Sequence, residues 1–118
     1  MKNVLIIDDD FASVELIKEL LKELKVVISI AVNGESAIKL LVDHPFDIVI
    51  LDIKLPDISG FIVISEIRKI YGDKIKVIAQ TASIFNPKEV YLNAGFDDYI
   101  SKPINNHEFI NLIGRLLT

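Results

Sequence analysis

No cysteine or tryptophan occurs in these 118 residues, and methionine occurs once. Without thiols the chain can build neither a disulfide framework nor a thiolate metal site, and that absence fits a reducing compartment, so a cytoplasmic location is expected. Glycine and proline are sparse at five and four residues, and 51% of the chain is hydrophobic against 25% charged. That composition excludes disorder and low complexity and predicts one domain spanning residues 1–118. Long apolar runs are missing as well. The amino-terminal "MKNVLIIDDD" places only Val4 to Ile7 before its acids, which fits neither a signal peptide nor a membrane span, and no other run reaches the ~20 residues a bilayer requires. A soluble chain with no membrane partner is expected. Positive charge is not in excess either: 13 basic residues face 17 acidic ones, for a net charge of −4 and a pI near 5.1. Scattered in that way, the basic residues offer no footprint for nucleic-acid phosphates, and direct nucleic-acid binding is not expected.

What the chain does contain is an alternation of short β-branched runs with longer segments of helical period. Strands are predicted at Asn3 to Asp8, Val26 to Ala31, Asp47 to Leu51, Lys76 to Gln80 and Asp97 to Ile100. Most are continuous Val/Ile runs of the kind buried on both faces of a parallel sheet. The first helix, "FASVELIKELLKEL", sets Val14, Ile17, Leu20, Leu21 and Leu24 on one face and charged residues largely opposite. Further helices are predicted at Gly34 to Val42, Gly60 to Tyr71, Pro87 to Ala94 and Asn106 to Leu117. Asn86 before Pro87 suits an N-cap, and Gly95 suits a helix stop. Right-handed crossovers fold five such βα units into a doubly wound α/β sheet, whose ligands collect at the carboxyl ends of the strands.

The residues ending the strands are Asp8 and Asp9 after the first, Asp52 after the third, Thr81 after the fourth and Lys102 just past the fifth. Two carboxylates ~4 Å apart repel by roughly 4 kcal/mol at an effective dielectric near 20. A third acid adds comparable repulsion, against a total stability of only ~5–15 kcal/mol. A hard divalent cation relieves this, and Mg²⁺ takes all-oxygen ligands while keeping waters that a phosphoryl oxygen can replace. The acids therefore read as a metal cradle.

In order along the chain, "LIIDDD", "IVILDIKLPDISG", "VIAQTAS" and "GFDDYISKPI" resemble the receiver domains of two-component response regulators, and the likeness covers essentially the whole sequence. The resemblance implies a flavodoxin-like five-stranded parallel sheet in the order 2-1-3-4-5. It implies that Asp52 accepts a phosphoryl group from a histidine kinase or histidine phosphotransfer domain. Asp8, Asp9, Asp52 and the backbone carbonyl of Lys54 would hold Mg²⁺, for which Mn²⁺ could substitute. Lys102 would pair with the phosphate through a candidate cis bond to Pro103, and Thr81 would sense the phosphate. Tyr99 would turn that event into a change on the face formed by the fourth helix, fifth strand and fifth helix, through which a phosphorylation-dependent homodimer could form. Such a domain is a signalling module rather than an enzyme; it assists only its own phosphotransfer and dephosphorylation. Lys54 and Ser83 would line the route of an attacking water.

Other residues have plainer readings. Asp10 precedes a helix and is expected to cap it. His44 and His107 lack partners at metal spacing, and Asp97 and Asp98 are expected to solvate the turn into the fifth strand. On the last helix, Phe109, Ile113 and Leu116 form the core stripe, with Ile110 and Leu117 expected outside it. A haloacid-dehalogenase-type phosphatase would need a second acid two residues after its nucleophile, which "DIK" lacks. A nucleotide-binding module would need a glycine-rich loop after the first strand, also missing.

Overall fold

The structure, a computed structural model, describes residues 1–82 and 86–118. Five strands, β1 (Lys2–Ile7), β2 (Val26–Ala31), β3 (Ile48–Asp52), β4 (Lys76–Thr81) and β5 (Asp98–Ser101), form one parallel sheet in the order β2-β1-β3-β4-β5. The helices are α1 (Phe11–Leu21), α2 (Gly34–Asp43), α3 (Gly60–Tyr71), α4 (Lys88–Ala94) and α5 (Asn106–Leu117). The sheet thus has the predicted doubly wound form.

Strand alternation divides the core in two. Leu5, Ile7, Val49, Leu51, Val77 and Ala79 face α2, α3 and α4, whereas Val4, Ile6, Ile48, Ile50 and Ile78 face α1 and α5. Central strands covered on both faces have no polar side to show, which is why β1 and β3 read as unbroken apolar runs. β2 lies at the sheet edge, and there Val27 and Ile30 remain exposed.

Several boundaries differ from the sequence reading. The first helix ends at Leu21, and Lys22–Leu24 form a 3-10 turn closed by Lys25 in the left-handed region at φ 53°. The chain must reverse there to enter β2, and tightening the last helical turn is the usual local means. Asn86 does not cap α4. Pro87 holds the cap position without a side-chain bond, and the Asn86 amide instead faces the Tyr91 hydroxyl at 3.5 Å. Gly95 ends α4 with φ 113°, as expected. On α5, Leu112 joins Phe109 and Ile113 in the core and Leu117 packs against it, while Ile110 stays exposed. Asp97 is no solvated turn residue: it accepts from the Val77 amide at 2.7 Å and from Arg68 at 3.0 Å. Arg68 also donates to the carbonyls of Gly95, Gly72 and Ile75, joining α3 to the ends of α4 and the start of β4.

Candidate functional site

At the carboxyl ends of β1, β3 and β4 the chain leaves the sheet within one small region. Asp8 is fully buried and Asp52 nearly so, while Asp9 is exposed. One oxygen from each of the three lies within 4.8 Å of the others. A cavity of about 680 Å³ opens over them, lined among others by Lys54, Pro56, Thr81 and Lys102.

Backbone geometry holds the acids in place. Asp8 Oδ1 accepts from the Asp10 amide at 2.9 Å, and Asp52 Oδ1 accepts from the Lys54 amide at 3.0 Å. The loop after β3 is itself fastened, since the Ile53 amide donates to the Gln80 carbonyl and the Gly60 amide to the Ile53 carbonyl. Lys102 arrives from the far side of the sheet. Its backbone amide donates to the Thr81 carbonyl at 2.8 Å, and its bond to Pro103 is cis. Its ammonium donates to Asp52 Oδ2 at 2.9 Å and Asp8 Oδ2 at 3.3 Å. The amine therefore already offsets part of the repulsion within the acidic run.

Burial pushes the Asp8 carboxyl above its ordinary 3.8 and Asp52 adds to the rise, although the Asp10 amide and the Lys102 charge oppose it. Burial alone would lower the Lys102 amine, but its bonds and charge contacts with Asp52 and Asp8 prevail and raise it above 10.5. Asp10 stands outside the acid cluster. Its carboxylate caps α1, accepting from the Ala12 amide and, at 2.7 Å, from the Ser13 hydroxyl, and these bonds, the hydroxyl's foremost, hold it below 3.8.

Thr81, at the end of β4, is buried and accepts from the Tyr91 hydroxyl at 3.2 Å. Tyr99 is half-buried on β5 and stacks on Tyr91. His44 and His107 are exposed, and Ser83 lies outside the described residues.

Two residues escaped the sequence reading. Asp57, in the loop after β3, accepts from the amides of Gly34 and Glu35 at 2.8 and 2.9 Å, fastening that loop to the start of α2. Tyr91 lies inside the helix predicted at Pro87 to Ala94 and belongs to no motif. A turn-forming acid just past Pro56 was a usable signal for the first; nothing local marks the second.

An open parallel sheet with three convergent carboxylates and an inward lysine at its strand ends places the chain in the doubly wound α/β class with its site at the strand ends. The model of the response regulator receiver domain matches residues 4–114, and the chain belongs to that family. It is 35% identical over 105 residues to the aerobic respiration control sensor protein ArcB of Escherichia coli strain K12, a match covering 87% of this chain. The chain spans only 14% of the length of that relative. The CheY-like receiver domain protein of Methanospirillum hungatei JF-1 superposes with a TM-score of 0.90 at 30% identity, covering 99% of this chain and 94% of that one. The receiver domain of Saccharomyces cerevisiae Ssk1, crystallised with the histidine phosphotransfer protein Ypd1, gives 0.88 at 25% identity, with 98% and 88% covered. Receiver domains bind Mg²⁺ in their acidic site, and the three convergent carboxylates here are a fitting all-oxygen donor set. Among the described residues no helix is long and apolar enough to cross a membrane.

Proposed function

We propose that Asp52 is the phosphoacceptor of this receiver domain. The observation that carries the assignment is the Lys102 ammonium, held at 2.9 Å from Asp52 and 3.3 Å from Asp8; among the described residues Asp52 is the one strand-end carboxylate both buried and lining the cavity. In the reaction, a carboxylate oxygen of Asp52 forms a bond to phosphorus as the bond from phosphorus to a donor imidazole nitrogen breaks, and the leaving imidazole keeps that electron pair. When bound there, Mg²⁺, for which Mn²⁺ could substitute, would supply positive charge to the phosphoryl oxygens. Asp8, Asp9, Asp52 and the Lys54 carbonyl would hold the ion; Lys102 stays in place to pair with the new phosphate. Thr81 turns toward the phosphate, and Tyr99 follows, remodelling the face of α4, β5 and α5. A phosphorylation-dependent homodimer through that face, where Ile110 is exposed, fits this scheme.

The donor is a histidine kinase or a histidine phosphotransfer domain, in keeping with the partnership of Ssk1 and Ypd1. It approaches along α1 and the loop after β5. Ala12, Glu15, Leu16 and Glu19 are exposed on α1, Asn105 is exposed on the loop, and a second cavity of about 420 Å³ lies between Leu16 and Ile104. The domain is a cytoplasmic signalling module spanning residues 1–118, not an enzyme with a substrate of its own. Incubation with acetyl phosphate and Mg²⁺ should add one phosphoryl mass, and Asp52→Asn should not gain it; undiminished labelling of that variant overturns the assignment. Leu16→Glu should slow transfer from a cognate kinase while leaving acetyl phosphate labelling intact, and equal slowing with both donors removes α1 from the docking surface.

A further inference from the structure

α4 contributes one buried side chain among those of its seven residues, Tyr91, and that side chain is fully enclosed. Its ring stacks on Tyr99 with centroids 5.2 Å apart and planes 16° from parallel. Phe61 stacks at 5.9 Å and 11°, and Phe96 packs edge-on at 6.3 Å. Its hydroxyl donates to Thr81 Oγ1 at 3.2 Å. One buried phenol thus touches both residues to which the switch is assigned.

We propose that Tyr91 is a positioning residue that holds Thr81 in its phosphate-free place and thereby sets the threshold of the switch, an inference that rests on the assignment of Thr81 and Tyr99 above. For Thr81 to turn toward a phosphoryl group on Asp52, its oxygen must leave the Tyr91 hydroxyl. A buried hydroxyl stripped of its acceptor keeps its full desolvation cost. The Asn86 amide at 3.5 Å is a donor and cannot receive that proton through its nitrogen. Phe61 stacked on one face of the ring and Phe96 packed edge-on restrict how far the ring can follow Thr81. The hydrogen bond therefore weights the equilibrium toward the phosphate-free arrangement, and the stack on Tyr99 carries the same bias to β5. α4 enters the switch through this ring, not merely as a surface that responds to it.

Tyr91→Phe keeps the ring and its stacking and removes only the hydroxyl. The variant should bind Mg²⁺-beryllofluoride about fivefold more tightly than wild type, the factor expected for one net hydrogen bond. In phosphate-free, metal-free protein its amides from Lys88 to Ser101 should exchange faster, a change that simple loss of packing would not pair with tighter binding. In a Thr81→Ala background the same substitution should shift affinity by less than about twofold, because the coupling partner is gone. An unchanged affinity in Tyr91→Phe, or the full shift persisting without Thr81, overturns the inference. If Thr81→Ala alone leaves the beryllofluoride response of α4 and β5 intact, the switch assignment fails first. If Thr81→Ala abolishes that response but Tyr91→Phe changes nothing, only the role of Tyr91 is lost.

Discussion

Gly60 shows how little room the acid cradle leaves. A Cβ there would meet Ile53 Cα at 2.7 Å and the Asp52 carbonyl oxygen at 2.8 Å, and backbone cannot swing aside as a side-chain tip can. Gly60→Ala should therefore destabilise the domain by about 1–3 kcal/mol, the usual cost of overpacking. Because the displaced atoms belong to Asp52 and its neighbour, acetyl phosphate labelling should slow as well. Gly114, inside α5, is the natural control. Nothing lies within 4 Å of its added Cβ, so Gly114→Ala should stabilise by roughly 0.5–1 kcal/mol through helix propensity and leave labelling unchanged. Thermal melts and mass spectrometry of the two variants decide both outcomes.

Among the elements, the loop after β3 has the largest burden, since it carries Lys54 and Pro56 beside the site yet is fixed from outside by α2. Asp57 joins them by accepting the first amides of α2 along with that of Ile58. These bonds, that from Gly34 foremost, hold its carboxyl below 3.8. A carboxyl lowered in the folded state contributes stability that is fully present above its unfolded value and disappears as pH falls through the folded one. Asp57→Ala should melt below wild type at pH 7, and the gap should close only as pH drops beneath 3.8 toward that lowered value. A gap that persists unchanged in strong acid would show that the carboxylate charge is not what holds the loop.

At the scale of the whole molecule, one side chain joins segments far apart in sequence. Lys102 reaches Asp8 across 94 residues and Asp52 across 50. Its side chain is 21% exposed and the two acids far less so, so the pairs lie between the weak surface and the costly buried limits. Lys102→Met should then destabilise the metal-free protein by on the order of 2 kcal/mol, intermediate between those limits. Mg²⁺ should raise the melting temperature of wild type by mass action on the folded site. The rise should be larger in Lys102→Met, where two buried carboxylates lack their amine. A smaller rise would mean that the lysine helps the ion to bind instead of standing in for it.

How much of this was legible beforehand follows from the range of each interaction. Period-2 and period-3.6 patterns are local, so the five βα units, the Asp10 cap and the Gly95 stop could be read directly. The strand-end rule then brought Asp8, Asp9, Asp52, Thr81 and Lys102 to one place, because parallel strands put all their carboxyl ends on the same side. Partner choice across the fold could not be read in this way. Asp97 looked like a solvated turn residue because its partner Arg68 lies 29 positions away on α3. Asp57 caps a helix that begins 23 positions before it. Tyr91 is only ten residues from Thr81, yet their contact exists because α4 packs its one buried ring over the end of β4. Sequence by itself determined which residues sit at the strand ends and which faces are apolar. The tertiary structure decided which of those groups touch, because sheet order and helix docking set distances that no local periodicity encodes.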